Sequence, residues 1–170
     1  MIRFAAVLCE LRPLAPRDKA TLRRFFRSHD PDTLRQRYGG AIAELTSQIL
    51  DRLTNGPDHS TYAFGIFRRA GRPPELHAVG RLCFDETGES AEVAFVVGEN
   101  QRNQGMATIL LRTLILEAVH RGIKRLTAEV DPQNRAMLHV LEKQGFMRGP
   151  DRKVSGISLI LRLHTSTSIP

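Results

Sequence analysis

The stretch Val96-Val97-Gly98-Glu99-Asn100-Gln101-Arg102-Asn103-Gln104-Gly105-Met106-Ala107 sets a polar turn between an apolar strand and a helix that opens at a glycine. The first N–H groups of a helix have no partner inside it, so they attract anions, each exposed charge gaining roughly 0.3–1 kcal/mol. Gly105 allows a ligand close to the backbone, and the small Ala107 leaves room for a phosphate beside the first turn. A plain strand–turn–helix connection has the same pattern, so the loop alone does not decide. Three carboxylates lie near it in sequence: Glu92 on the preceding strand, Glu99 in the turn, and Glu129 on the strand that follows the helix. The six histidines form no close metal-ligand pair, and no metal is expected.

The elements that must position this loop can be read along the chain. Met1 to Leu14 reads as a first strand, and Pro16-Arg17-Asp18 opens a helix with Leu22, Phe25 and Phe26 on one face. Asp30-Pro31-Asp32 and Gly39-Gly40 break the chain before a second helix, where Ile42, Leu45, Ile49 and Leu53 recur at helical steps. Strands follow at Tyr62–Phe67, Leu76–Phe84 and Ala91–Val97, separated by turns at Gly71-Arg72-Pro73-Pro74 and Glu86-Thr87-Gly88-Glu89. A long buried helix from Met106 stops at Gly122, a strand covers Arg125–Val130, and a helix runs from Arg135 to Gln144. Ile157–Leu163 closes the pattern as a last strand. The two strand–helix–strand units of the second half predict parallel neighbours within a mixed sheet. One domain over 1–164 is expected, with 165–170 as a flexible tail.

Composition narrows the partners. The formal charge is +7 and the pI about 10.2, so an anionic ligand suits the chain. The basic residues are scattered in pairs such as Arg23-Arg24 and Lys124-Arg125, and there is no tryptophan to stack on bases. A polyanionic cofactor or an acidic acceptor explains the charge equally well, and nucleic acid is not favoured. Cys9 and Cys83 are the only cysteines and do not suggest a disulfide framework. Without an apolar run long enough to span a membrane, and with Glu10 and Arg12 interrupting the start, neither a membrane span nor a signal peptide is read; a cytoplasmic protein, monomeric or homodimeric, is the expectation.

Arg102-x-x-Gly105-x-Ala107 resembles the pyrophosphate-binding signature of GNAT acetyltransferases, R/Q-x-x-G-x-G/A. Its context strengthens the resemblance: a strand bearing an acid before it, an apolar helix after it, then the strand Leu126–Val130 leading to Asn134, a helix, and Gly145-Phe146. The matching stretch covers residues 76–150. The front half, through Leu11-Arg12-Pro13-Leu14, Asp18, Phe25-Phe26, Pro31-Asp32-Thr33 and Arg37-Tyr38, is similar more narrowly to the acetyltransferase domain of bacterial protein-lysine acetyltransferases.

The resemblance implies an α/β (α+β) fold, a mixed twisted sheet of about six to seven strands flanked by about four helices. It implies acetyl-CoA as cosubstrate and a primary amine, on a small molecule or a protein lysine, as acceptor. Backbone amides of Arg102, Asn103, Gln104, Gly105, Met106 and Ala107 would hold the pyrophosphate, with the Thr108 hydroxyl adding to them. Phe95, Val96 and Val97 would run beside the pantetheine arm like an extra strand partner, where family strands splay apart, usually at a bulge. The Val96 amide would polarise the thioester carbonyl, and the Asn134 side chain would meet the pantetheine or adenosine. A lysine-type amine is neutral at pH 7 only at a cost of roughly 4.6 kcal/mol, so a base is needed, and the family places a glutamate where Glu92 stands. Glu129 is the reserve base. Many relatives protonate the leaving thiolate with a tyrosine, but that place here is Leu141, and His139 faces elsewhere on an ideal helix. A domain that only senses acyl-CoA or docks a partner is the alternative to an enzyme.

Overall fold

Alternating apolar residues in short β-branched and aromatic runs make strands, and the chain pairs them into one sheet. The computed structural model describes residues 2–4, 7–29, 46–54, 61–69, 74–153 and 156–163. Its strands are β1 (Ile2–Phe4), β2 (Val7–Pro13), β3 (Thr61–Arg68), β4 (Glu75–Phe84), β5 (Ser90–Val97), β6 (Arg125–Val130), β7 (Met147–Lys153) and β8 (Gly156–Arg162). The helices are α1 (Lys19–Arg27), α2 (Ser47–Thr54), α3 (Met106–His120) and α4 (Arg135–Lys143), with short 3-10 turns at Pro16–Asp18 and Glu99–Gln101. The eight strands lie in the order β1-β2-β3-β4-β5-β6-β8-β7.

The mixed sheet and four helices are those expected, with three differences in detail. The expected first strand is two, β1 pairing antiparallel with β2 so that Phe4 lies opposite Val7. A strand at Met147–Lys153 was not foreseen. It forms the edge of the sheet, with a register shift between Arg148 and Arg152 that accommodates Gly149 and Pro150. The third difference follows from it. β5 and β6 are parallel neighbours joined through α3, as expected, but β6 and β8 are antiparallel. The second crossover runs from β6 through α4 to β7, and β8 returns between them. The breaks at 30–40, the first turns of the second helix with Ile42 and Leu45, the turn at 71–73 and the tail at 165–170 lie outside the described residues.

Two cores cover the two faces. α3 and α4 bury Leu110, Leu111, Leu114, Leu138 and Leu141 against Phe64, Leu82, Val93, Phe95, Leu126 and Leu159. On the other face α1 and α2 pack Leu22, Phe25, Phe26, Leu50 and Leu53 onto Ala63, Phe67, Val79 and Val96. Gly80 keeps α3 close, since a Cβ there would lie 3.1 Å from both Leu114 and Phe95. α3 ends in a Schellman arrangement: Ile123 N–H donates to Ala118 O at 3.0 Å, with Gly122 at φ +74°. The entry to α1 is held by a buried ion pair. The Arg12 guanidinium donates to both Asp18 oxygens at 2.6 and 2.7 Å, and Asp18 also accepts from Ala15 N–H at 2.9 Å. Burial opposes ionisation of Asp18, but the Arg12 and Ala15 hydrogen bonds outweigh it and hold the carboxyl below its ordinary range. No helix among the described residues is long and apolar enough to cross a membrane.

Candidate active site

β5 is hydrogen-bonded to β4 along its whole length, from Phe84–Ala91 to Ala78–Val97, without a register shift. To β6 it is paired at only three positions, Ser90–Arg125, Ala91–Leu126 and Glu92–Thr127. On its other edge β6 stays paired with β8 at all six of its residues. The two parallel strands therefore part after Glu92 and Thr127, and a wedge opens along Val93–Val97. The wedge forms without a bulge in β5, unlike the arrangement the resemblance implied.

That unbroken register decides which amides face the wedge. Gly98 N–H donates to His77 O, and Asp85 N–H to Ser90 O, both at 2.9 Å. In an antiparallel ladder hydrogen-bonded pairs alternate, so Ser90, Glu92, Ala94, Val96 and Gly98 turn their backbone groups to β4. Phe95 and Val97 turn theirs to the open side, as Glu89 does where its carbonyl accepts from Lys124 N–H on the β6 side at 2.9 Å. Val96, expected to donate to a thioester oxygen, is thus directed at β4. A bulge in β5 would have moved the pattern by one residue, and its absence shifts the open amides to Phe95 and Val97. The Phe95 side chain itself lies in the α3-side core, and Val96 in the core under α1.

At the far end of the wedge the turn carries two left-handed residues, Asn103 at φ +61° and Gly105 at φ +80°. They stand two positions apart, and left-handed residues in a turn can direct neighbouring amides into a concavity that suits anions. Gly105 is the N-cap of α3, no side chain caps the helix, and its first turn holds no acid. The intrahelical ladder starts with Ile109 N–H to Gly105 O at 3.1 Å, leaving the preceding amides without helical partners. A Cβ built at Gly105 would meet nothing within 4 Å, so this space is open. A hollow of about 150 Å³ joins Val97, Arg102, Asn103, Gly105, Met106, Ala107 and Thr108 to Asn134 on the neighbouring connection. Eight of the expected cosubstrate residues therefore surround one space. Gln104 does not line it; its amide folds back onto Asn100 O at 3.2 Å. The Asn134 Oδ1 accepts from Met137 N–H at 3.2 Å and so caps α4, leaving its amide nitrogen for a ligand. Met137 and Val140, not singled out from sequence, supply an apolar wall.

Glu92 stands at the apex of the wedge, exposed, on the α1 and α2 face of the sheet and opposite Thr127. Glu129 is two residues further along β6 on that same face, its side chain lying over Gly156. Glu99 pairs with Arg102 at 3.3 Å, near the anion turn and away from the apex. Leu141, the place of the expected proton donor, is buried in the core, and His139 is exposed. Cys9 is fully buried, which pushes its thiol up and keeps it protonated. A second cleft, of about 500 Å³, lies between α1 and the Gly98–Gln101 turn, with buried His29 in its wall. His29 Nδ1 lies 2.6 Å from Phe25 O, which places the proton there and leaves Nε2 without a partner. No group of three or more His, Cys, Asp or Glu among the described residues could hold a metal ion.

A parallel strand pair wedged open beside an uncapped helix start is the kind of site that the resemblance to GNAT acetyltransferases implied. The sequence matches the acetyltransferase (GNAT) domain family over residues 9–147, and the chain belongs to that family. It is 27% identical to acetyltransferase PA5475 of Pseudomonas aeruginosa over 144 residues, 83% of this chain and 77% of that protein. It is 24% identical to acetyltransferase Pat of Mycolicibacterium smegmatis over 79% of this chain but only 40% of Pat. The crystal structure of the GNAT domain of S. lividans PAT superposes with a TM-score of 0.78 at 23% identity, covering 91% of this chain and 90% of that one.

Proposed function

We propose that this chain transfers an acetyl group from acetyl-CoA to a primary amine by direct attack. The observation that carries the proposal is the wedge between β5 and β6, with Glu92 at its apex and the uncapped start of α3 at its mouth. Amides of the Arg102–Thr108 segment hold the pyrophosphate, and Phe95 and Val97 pair with the pantetheine arm. The Phe95 N–H, nearer Glu92 than that of Val97, takes the oxyanion role. Glu92 accepts the proton of the ammonium, directly or through water, so that the neutral nitrogen can attack the thioester carbonyl carbon. The C–N bond forms and the C–S bond breaks, and the nitrogen, still carrying one proton too many, releases it to water, giving an N-acetyl amine and coenzyme A. The thiolate leaves without a protein acid and takes its proton from solvent, its conjugate acid resembling a cysteine thiol with a pKa of about 8.5.

The site serves a small amine or a protein lysine, in one acetyltransferase domain over 1–164 working in the cytoplasm. The buried Leu141 where relatives carry a proton donor supports a second reading, an acyl-CoA-binding sensor without turnover. Thiol release from acetyl-CoA with a panel of amines separates the two. An enzyme gives amine-dependent release and a mass increase of one acetyl group, whereas a sensor binds acetyl-CoA and releases nothing.

A further inference from the structure

Arg81 is on β4, opposite Ala63 of β3 and Ala94 of β5, so it stands on the face that carries Glu92 and Glu129. Val79, two residues before it, is packed under α1 and α2, whereas Cys83, two residues after it, is opposite the exposed Glu92. Its Nε is buried with no hydrogen-bond partner, and among the described residues no carboxylate pairs with it. Arg12, by contrast, is held bidentately by Asp18. Arg81 as a whole is half-buried, but a buried donor on a cation is costly to leave unpaired, so it calls for an acceptor that the described residues do not supply.

The neighbours show where that acceptor would be. Only Ala94 separates Arg81 from the wedge, and a methyl group leaves room for an arginine side chain to lie across it. Glu92 is the diagonal neighbour of Arg81 across the pair, about 7–8 Å away by strand geometry and somewhat nearer between Cβ atoms. A guanidinium matches carboxylates in a two-pronged arrangement, while Glu92 faces the amine. Resting on the acetyl-transfer reading above, we propose that Arg81 binds a carboxylate of the acceptor, so that the preferred substrates are amines that also carry a carboxylate, of the amino-acid type.

The test uses the full chain with acetyl-CoA and an ω-amino acid series (glycine, β-alanine, 4-aminobutyrate, 6-aminohexanoate), each compared with its carboxamide. Wild type should favour the acid of at least one pair in kcat/KM by roughly 10- to 100-fold, the value of a charged hydrogen bond. Arg81→Gln should remove that preference by raising KM for the acid while leaving the amide unchanged, and Arg81→Lys should keep part of it. The Arg81 Nε–H resonance, followed by NMR with the acid as titrant, should shift without turnover and should not shift with the amide. Equal activity on acids and amides in wild type overturns the proposal. So does an Arg81→Gln loss that is the same for both, or a changed pH profile for every amine, since Arg81 would then serve Glu92. If Arg81→Gln does not fold, the wild-type comparison and the resonance decide. Turnover without anion dependence defeats only this assignment, whereas failure to bind acetyl-CoA defeats the reading beneath it.

Discussion

Glu92 is one strand step from the place where β5 and β6 separate, and this position makes a sharp kinetic prediction. Glu92→Gln keeps the shape and removes the base, so kcat should fall by roughly 10²–10⁴ with coenzyme affinity nearly unchanged. The loss should shrink as pH rises, because more of the amine is then already neutral; a kcat unchanged at pH 7 with chemistry rate-limiting would move the role to Glu129. Asp18 makes a separate, structural prediction. Removing one partner of a buried ion pair costs roughly 3–5 kcal/mol, and the partial exposure of Arg12 sets the expectation for Asp18→Asn near the lower end, about 3. Because the folded state depresses the Asp18 pKa, this stability is fully present above the ordinary carboxylate range and is lost as pH falls through the folded value. Denaturant unfolding of both proteins from pH 7 to pH 2 should show the gap between them closing only below about pH 4. A gap that does not depend on pH would mean that the charge is not what stabilises. These residues were unequally legible in the sequence. Glu92 could be placed from the motif after it, but Arg81 in an alternating strand reads as solvent-facing, and nothing near Asp18 in sequence announces Arg12 as its partner.

Elements were legible where local chemistry and tertiary contacts agree. The helix from Met106 to His120 has its glycines at both ends and Met106, Leu110, Leu111 and Leu114 toward the sheet, with Leu116 and Val119 exposed, and it stands where the sequence put it. β7 was not legible, because MRGPDRK has neither alternation nor β-branched residues and is a strand only by virtue of its backbone pairing with β8. Missing it also made β8 seem parallel to β6. The open amides could not be located either, since a bulge in β5 has no mark in this sequence and its presence or absence moves the pattern by one residue. α4 offers a test that divides an element's stability from its role at the site. Asn134→Ala removes the cap and should cost about 1 kcal/mol, within the usual range of 0.5–2. Asn134→Asp keeps a capping oxygen and should preserve the melting temperature while weakening acetyl-CoA binding, because the amide donor is gone. Equal loss of stability in both, with coenzyme affinity unchanged, would make Asn134 a cap and nothing more.

The whole molecule gathers its functional groups on either side of one divergence in the sheet. α3 presents uncapped amides and α4 an apolar wall on one face, and carboxylates and Arg81 stand on the other, so a thioester in the wedge would be reachable from both. The net charge of +7 suits a polyanionic cosubstrate but does not identify one, which is why composition alone could not exceed a class of partner. Calorimetric titration of acetyl-CoA into this chain and into Gly105→Val, together with the melting temperature of each, tests the central claim most directly. The left-handed Gly105 stands in open space beside the amides, so a valine there would strain the turn and fill the approach. The account predicts saturable binding to wild type, with a stabilisation of about 2.7 kcal/mol at a hundredfold excess over Kd, and loss of both in a Gly105→Val protein that remains folded. No heat and no thermal shift with wild type, or undiminished binding to Gly105→Val, would contradict it.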